Sequence, residues 1–307
     1  MVLTVKKYNS KILNAVLKQI KSRPGFEDIG IEQYRLMLEK SASVFRPHKG
    51  VKEQKVTMAS SMEAAWLEPS EYDGKTIILY IHGGGFIAGS INTHRDLASR
   101  IAMAASAKTL LFNYRLAPEH PFPCGFEDVK AIYMEVADLC SNSHNICIAG
   151  DSAGACLGLA LLADLASSNL PMPEAAAFIS PWADLECRGR SHETNRKKDP
   201  TLTTEILKRT ARLYTDQNLS SPMVSPVNSN FSGICPCLIQ VGENEILLDD
   251  SKMLAQKIKS AGSHVHLEIW KNMFHVWHYF ARYLPEAVQA IEHMGEFIKS
   301  EKADISS

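Results

Sequence analysis

The chain has 307 residues, of which 45% are hydrophobic and 22% are charged, and its formal net charge is -1. This length fits one large α/β domain with a small accessory element. A net charge so close to zero argues against a nucleic-acid partner or an anionic membrane surface.

The N-terminus and the cysteines indicate the compartment. Residues 1–7 lack the basic-then-apolar order of a signal peptide. No apolar run reaches the roughly 18 residues that a membrane span requires. The seven cysteines are odd in number and scattered, which suits a reducing compartment better than a disulfide framework. We therefore expect a cytoplasmic protein with no membrane partner.

From residue 75 the chain alternates short apolar runs with helical patterns, which indicates a parallel sheet covered by helices. Before this alternation, residues 55–58 and 63–67 look like strands at an antiparallel edge. The apolar runs that predict the later strands are 76–81, 109–112, 146–149, 175–179, 238–241 and 265–270. Helices are predicted near 93–106, 126–139, 153–167, 250–261 and 285–300.

Two regions fall outside this alternation. Residues 1–50 contain two helical patterns, and residues 185–230 contain a polar loop, a helix near 203–215 and a Pro/Ser/Asn-rich return. We expect both regions to form a helical cap over the C-terminal ends of the strands, where open α/β sheets bind ligands. Residues 51–184 and 231–307 would then form the catalytic core.

A nucleophile motif lies at residues 150–154, which read GDSAG and have the G-x-S-x-G form. The motif follows the apolar run 146–149 and precedes a helical stretch. It needs this strand–turn–helix setting, because the sharp turn pushes the serine outward. We therefore predict that Ser152 is a nucleophile, and a plain Gly-rich connection is the alternative.

A second motif, HGGGF at residues 82–86, closes the predicted strand 76–81. A hydrolase must stabilise the negative oxygen of a tetrahedral intermediate, and backbone N–H groups free of secondary structure can do this. We predict an oxyanion hole formed by the amides of Gly83, Gly84 and Ala153. Phe86 is expected to line the substrate pocket beside it.

Taken together, the motifs resemble those of the hormone-sensitive-lipase-like family of bacterial esterases. The resemblance implies an α/β-hydrolase fold with a mostly parallel eight-stranded sheet, flanking helices and a helical cap. It also implies short-chain acyl esters as substrates, no cofactor, and a homodimer formed through the edge of the last strand. The matching residues are HGGGF at 82–86, NYRLAPEHPFP at 113–123, GDSAG at 150–154, SPW at 180–182 and the stretch 242–250.

The serine needs a base, and α/β-hydrolases order the triad as serine, acid, histidine. Six histidines follow Ser152. Among them, His264 and His266 lie beside or within the predicted strand 265–270. His275 lies in the loop just after that strand and resembles the family's histidine motif. We predict that His275 is the general base.

The acid should follow the predicted strand 238–241. Family members usually carry Asp-x-Leu-x-Asp there, and residues 245–249 read EILLD. The resemblance therefore places Glu245 in the triad, although aspartate is commoner at this position. A longer carboxylate can still orient the imidazole. Asp249 is the alternative, and it otherwise fits a buried or helix-capping acid.

These residues predict a serine carboxylesterase that acts on small-molecule esters through an acyl-enzyme and uses no metal or organic cofactor. Two alternatives remain open. An amidase or peptidase would use the same triad, since leaving-group preference depends on the details of the pocket. A non-catalytic ligand-binding member would resemble the plant hormone receptors that lost the histidine, whereas here His275 stands in the expected loop.

Overall fold

The computed structural model describes residues 2–3, 10–43, 46–58, 61–140 and 145–303. Within them, nine strands form one sheet. The strands are β1 (Val2–Leu3), β2 (Val51–Met58), β3 (Met62–Pro69), β4 (Thr76–Ile81), β5 (Lys108–Phe112), β6 (Asn145–Asp151), β7 (Ala175–Ile179), β8 (Cys237–Gly242) and β9 (Val265–Trp270).

The sheet order is β1-β9-β8-β7-β6-β4-β5-β3-β2. Only β3 runs antiparallel to its neighbours β2 and β5, and the other pairs are parallel. The predicted α/β-hydrolase fold, with its mostly parallel sheet and antiparallel edge, is confirmed. The ninth strand, β1, was not predicted, and it pairs with Ile269 and Trp270 of β9. A two-residue strand is too short to show a hydrophobic period.

Helices cover both faces of the sheet. Every residue of β4 is buried, and its side chains alternate between two hydrophobic clusters, as expected for a strand covered on both sides. The helices are α1 (Ser10–Lys21), α2 (Phe26–Ile29), α3 (Ile31–Ala42), α4 (Ile91–Ala105), α5 (Cys124–Leu139), α6 (Ala153–Ser167), α7 (Ser191–Thr194), α8 (Thr204–Tyr214), α9 (Leu248–Ser260) and α10 (Pro285–Ala303).

The two hydrophobic clusters use different helices. One cluster takes its buried residues from α5, α6, α8 and α9, and the other from α1, α4 and α10. The N-terminal region is divided between them, because Leu13 of α1 joins the second cluster and Phe26 of α2 joins the first. The predicted cap and core ranges also include residues 1, 4–9, 44–45, 59–60, 141–144 and 304–307, which lie outside the described residues.

The loop at residues 113–123 is fixed by charge pairs. The Arg115 guanidinium binds both carboxylate oxygens of Asp128, with Nη2 2.7 Å from Oδ1. Glu119 has a different partner, because Arg35 of α3 donates to both of its carboxylate oxygens at 2.8 and 2.9 Å. Arg35 also donates to the carbonyls of Ile87 and Ala117. The loop is therefore attached to the N-terminal helices as well as to α5.

Helices α4 and α10 pack closely against each other at Gly295. A Cβ atom at this position would lie 2.4 Å from the carbonyl carbon and oxygen of Ala104. We expect Gly295→Ala to destabilise the protein by about 1–3 kcal/mol through overpacking. Helix propensity alone would favour alanine by about 1 kcal/mol. Urea denaturation of this variant, beside a Glu296→Ala control at an exposed neighbouring position, measures the difference. An unchanged midpoint for Gly295→Ala would contradict the packing.

Candidate active site

Ser152 lies on the tight turn between β6 and α6. Its φ of 53° and ψ of -118° are strained for a residue with a side chain, and the turn is held by the Ser152 N–H bond to the Ile179 carbonyl at 2.9 Å. The turn also needs Gly154, because a Cβ there would lie 2.1 Å from the Ile81 oxygen. The flanking glycine thus lets α6 start directly against β4. Ser152 is half-buried at the carboxyl end of β6.

His275 lies in the loop after β9 and joins Ser152 to Glu245. Its Nε2 is 3.0 Å from Ser152 Oγ, and its Nδ1 is 3.0 Å from Glu245 Oε2. A carboxylate accepts hydrogen bonds, so Nδ1 carries the proton toward Glu245 and leaves Nε2 to accept from the serine hydroxyl. This arrangement allows the imidazole to take the serine proton when the oxygen attacks a carbonyl carbon.

The carboxylate of Glu245 is fully buried and held on both oxygens. While Oε2 faces His275, Oε1 accepts from the Gly242 amide at 2.5 Å and from the Ser180 hydroxyl at 2.8 Å. The Ser180 hydroxyl oxygen also accepts from the Val276 amide at 3.2 Å, so this serine joins the acid to the histidine loop. Sequence reasoning placed Ser180 in a family motif but missed this contact.

Asp249, the alternative acid, faces another partner. Its Oδ2 accepts from the Ser191 amide at 2.9 Å, and its Oδ1 lies 3.2 Å from the Lys252 ammonium. It lies in the first turn of α9, where a carboxylate favours the helix dipole. The structure therefore brings Glu245, and not Asp249, to the imidazole.

The charge of Glu245 controls the titration of His275. Burial lowers the pKa of His275, but the hydrogen bond and the negative charge of Glu245 outweigh it and raise this pKa above the ordinary histidine value. The carboxylate stabilises the imidazolium, which is the state that the histidine adopts after it takes a proton.

Gly83 does not fit the predicted oxyanion hole. Its N–H points at the buried Asp151, whose Oδ1 lies 3.1 Å away and also accepts from the Tyr80 hydroxyl at 2.8 Å. Burial would raise the pKa of Asp151, but His94 and these hydrogen bonds outweigh it and lower this pKa, so the ionised carboxylate that accepts these bonds is favoured. The Gly83 amide therefore fixes the loop and is not available to a substrate.

Three other amides at this site are available. In the described part of the chain, no acceptor bonds the N–H groups of Gly84, Gly85 and Ala153. Gly84 and Gly85 have φ angles of 119° and 64°, which glycine adopts at little cost. The sequence prediction missed Gly85, because three consecutive glycines do not show which amides turn inward.

The expectation that Phe86 lines an open substrate pocket does not fit its packing. Its side chain is 1% exposed, and its ring stacks on Tyr214 of α8 with centroids 3.8 Å apart. The Trp182 ring lies at 5.4 Å. The positive φ of 63° at Phe86 turns this ring into the core. Phe86 therefore joins the glycine loop (residues 82–86) to α8 and does not present a free surface.

Comparison with known proteins identifies the family. A sequence profile of the α/β-hydrolase fold matches residues 78–279, more than half of the chain. An acetyl-hydrolase from Streptomyces hygroscopicus is 40% identical over 273 residues, which cover 88% of this chain and 90% of that protein.

Solved structures that match this chain are also esterases. The crystal structure of the esterase EstE5 soaked with p-nitrophenyl butyrate has a TM-score of 0.89 and 39% identity, and the match covers 96% of this chain and 99% of EstE5. An esterase from the bacterial hormone-sensitive lipase family has a TM-score of 0.89 and 35% identity, and the match covers 95% of this chain and 99% of that esterase.

The chain therefore belongs to the α/β-hydrolase fold family and, within it, to the hormone-sensitive-lipase-like carboxylesterases. The predicted serine carboxylesterase is confirmed at this level. Among the helices that the structure describes, none has the length and apolar character required to cross a membrane.

The geometry predicts how His275 titrates. Glu245→Gln removes the negative charge but keeps a side chain of the same shape. We expect the pKa of His275 to fall, because burial then acts without the opposing charge. An NMR titration of the imidazole in wild type and variant measures the shift. Glu243→Gln is the matched control, since Glu243 lies in the same loop and bonds the Asn272 amide. A His275 pKa that stayed unchanged in Glu245→Gln would contradict the assigned pairing.

Proposed function

We propose that this carboxylesterase hydrolyses short-chain acyl esters, with Ser152 as nucleophile, His275 as general base and Glu245 as the triad acid. The observation that carries the proposal is the continuous hydrogen-bonded chain from Ser152 Oγ through both ring nitrogens of His275 to Glu245 Oε2, with both distances 3.0 Å. Triads are recognised by such geometry and not by sequence position.

The reaction takes two similar halves. Ser152 Oγ forms a bond to the ester carbonyl carbon while His275 Nε2 takes the hydroxyl proton. The tetrahedral intermediate collapses, the bond to the alcohol oxygen breaks, and His275 returns the proton to the leaving alcohol. In the second half, His275 takes a proton from water, whose oxygen attacks the acyl-enzyme. This second intermediate collapses, the bond between the carbonyl carbon and Ser152 Oγ breaks, and His275 returns its proton to the serine oxygen as the carboxylic acid leaves.

The amides of Gly84, Gly85 and Ala153 would stabilise the negative oxygen in both halves. The support is that Ala153 directly follows the nucleophile, that Gly83 ties the glycine loop to Asp151 just before it, and that the three N–H groups have no protein acceptor among the described residues. Removing one such donor typically costs 10²–10³-fold in kcat. Ala153 starts α6, so the dipole of this helix also favours a negative charge there.

We propose further that residues 185–230 and the α2–α3 part of residues 1–50 form the cap. The two parts are in contact, because the Arg209 guanidinium of α8 lies 5.6 Å from the Phe26 ring centroid and 3.4 Å from the Glu27 carboxylate. α1 fits this cap less well, since its buried side chains join the opposite cluster. The cap would supply the walls of the substrate site.

A short acyl limit is supported by two of the relatives. EstE5 was soaked with p-nitrophenyl butyrate, an ester with a four-carbon acyl group. The Streptomyces hygroscopicus relative is an acetyl-hydrolase. Acetyl and butyryl esters are therefore the expected substrates.

Hydrolysis of p-nitrophenyl esters of increasing acyl length tests the proposal. We expect activity to be highest with short acyl groups, in line with the acetyl-hydrolase relative and with the butyrate ester used for EstE5. Ser152→Ala should lose about 10⁴-fold or more in kcat, since the nucleophile is removed while binding is kept. Ser168→Ala, a change at the C-terminal end of the same helix, is the control.

The outcomes are distinct. Full activity in Ser152→Ala would overturn the assigned nucleophile. A folded wild type that cleaved matched anilides but no esters would instead favour the amidase or peptidase alternative, which uses the same triad.

The cytoplasmic location and the homodimer are proposals as well. The location is supported by the seven cysteines, none of which the structure joins in a disulfide, and fractionation of cells tests it. The homodimer comes from the family resemblance, but β1 already pairs with part of the outer edge of β9. Light scattering measures whether the chain has the mass of one copy or two.

A further inference from the structure

The loop that carries Glu245 is fastened by the polypeptide segment that follows β7. We call residues 243–247 the acid loop and residues 189–202, which contain α7, the clamp segment. Three buried side chains of the clamp segment, Ser191, Asn195 and Asp199, point into the acid loop and bond its backbone. They are spaced four residues apart.

Asn195 makes the contact that lies nearest the carboxylate. Its side-chain Nδ2 donates to the Glu245 carbonyl at 2.8 Å and to the Glu243 carbonyl at 3.0 Å, and the residue is 3% exposed. One amide group therefore holds the backbone of the acid itself and of the residue two positions before it. Its Oδ1 accepts from the Lys198 ammonium at 3.2 Å, which fixes the amide orientation.

The other two side chains complete the attachment. Asp199 Oδ2 accepts from the Ile246 amide at 2.9 Å, and Ser191 Oγ donates to the Ile246 carbonyl at 2.5 Å. The clamp segment thus satisfies both backbone groups of Ile246 and the carbonyl of Glu243, whereas the amides of Glu243 and Glu245 donate to the carbonyls of Trp270 and Gly242. Loss of Asn195 would remove the donor to the Glu243 carbonyl and one of two donors to the Glu245 carbonyl, which keeps the Leu248 amide at 3.3 Å, and would shift the loop.

We propose that Asn195 is a positioning residue of the active site, which holds the acid loop so that the Glu245 carboxylate meets His275. This inference rests on the proposed role of Glu245 as the triad acid. Asn195 touches neither the imidazole nor the serine in the contacts described, and it acts through the backbone of residues 243–245. Misplacement of a catalytic group by about 1 Å can cost on the order of 10²-fold in rate.

Asn195 is also the position at which the role of the clamp segment can be tested without changing a charge. Asp199 carries a charge that itself acts on Glu245 and His275. Replacing Asp199 would therefore change position and electrostatics together. Ser191 bonds Ile246, farther from the acid. Asn195 is neutral, so an effect of its substitution on the titration of His275 reports the position of Glu245.

The test is a double-mutant cycle on the full chain. Its variants are Asn195→Ala, Glu245→Gln and the two combined, each measured for kcat, KM and the pKa of His275 by NMR. We expect Asn195→Ala to lose about tenfold or more in kcat with little change in KM. The pKa of His275 should fall, because the carboxylate moves away from the imidazole. In the Glu245→Gln background, Asn195→Ala should cost little more, because the group it positions is already gone.

Asn228→Ala is the matched control. Asn228 contacts neither the acid loop nor the triad in the bonds described; its side-chain amide donates to the Ser220 carbonyl at 2.9 Å, and its Oδ1 accepts from Arg188. We expect it to lower the thermal midpoint as Asn195→Ala does but to leave kcat and the pKa of His275 unchanged. Should Asn195→Ala not fold, Asn195→Ser, which keeps one donor, is measured in the same way.

The measurements distinguish a failure of this inference from a failure of the proposed function. If Asn195→Ala behaved like the Asn228→Ala control, or if its loss in kcat multiplied independently with that of Glu245→Gln, the positioning role would be wrong. If Glu245→Gln alone kept the wild-type kcat and His275 pKa, the assignment of Glu245 as the triad acid would be wrong.

Discussion

The hydrogen bond between His275 and the buried Glu245 carboxylate is the interaction on which the site depends. A carboxylate taken out of water is costly unless its oxygens are bonded. Here one oxygen is satisfied by Gly242 and Ser180 and the other by the imidazole. The charge in turn fixes the tautomer of His275 and leaves Nε2 as the acceptor that faces Ser152. Without this carboxylate, the same histidine in the same place would be a weaker base.

The sheet brings these groups together from distant parts of the chain. Ser152, Ser180, Glu245 and His275 follow β6, β7, β8 and β9, and the carboxyl ends of these parallel strands meet at one edge. Because strand order and chain order agree on this side of the sheet, each functional loop lies beside the next. The clamp segment adds a contact that the sheet itself does not provide.

The sequence, together with the family resemblance, was sufficient to predict the fold and the three residues of the hydrogen-bonded chain. Each of the three follows an apolar run, and the resemblance favoured Glu245 over Asp249. The sequence was insufficient where side-chain contacts determine which groups face the substrate site. Which glycine amides turn inward depends on the Gly83–Asp151 bond, and a ring such as Phe86 can face a pocket or the core. Asn195 lies 50 residues before Glu245 in the chain, so no local sequence pattern predicts their contact.

The Gly83–Asp151 bond connects the glycine loop to the nucleophile turn. Asp151 is the residue immediately before the nucleophile, and it holds the first glycine of the loop that carries two of the free amides. The spacing between the attacking oxygen and the groups that would receive the negative charge therefore depends on one buried carboxylate and not on the residues that contact the ester. Substitutions in the substrate walls can change which ester fits while this spacing is kept.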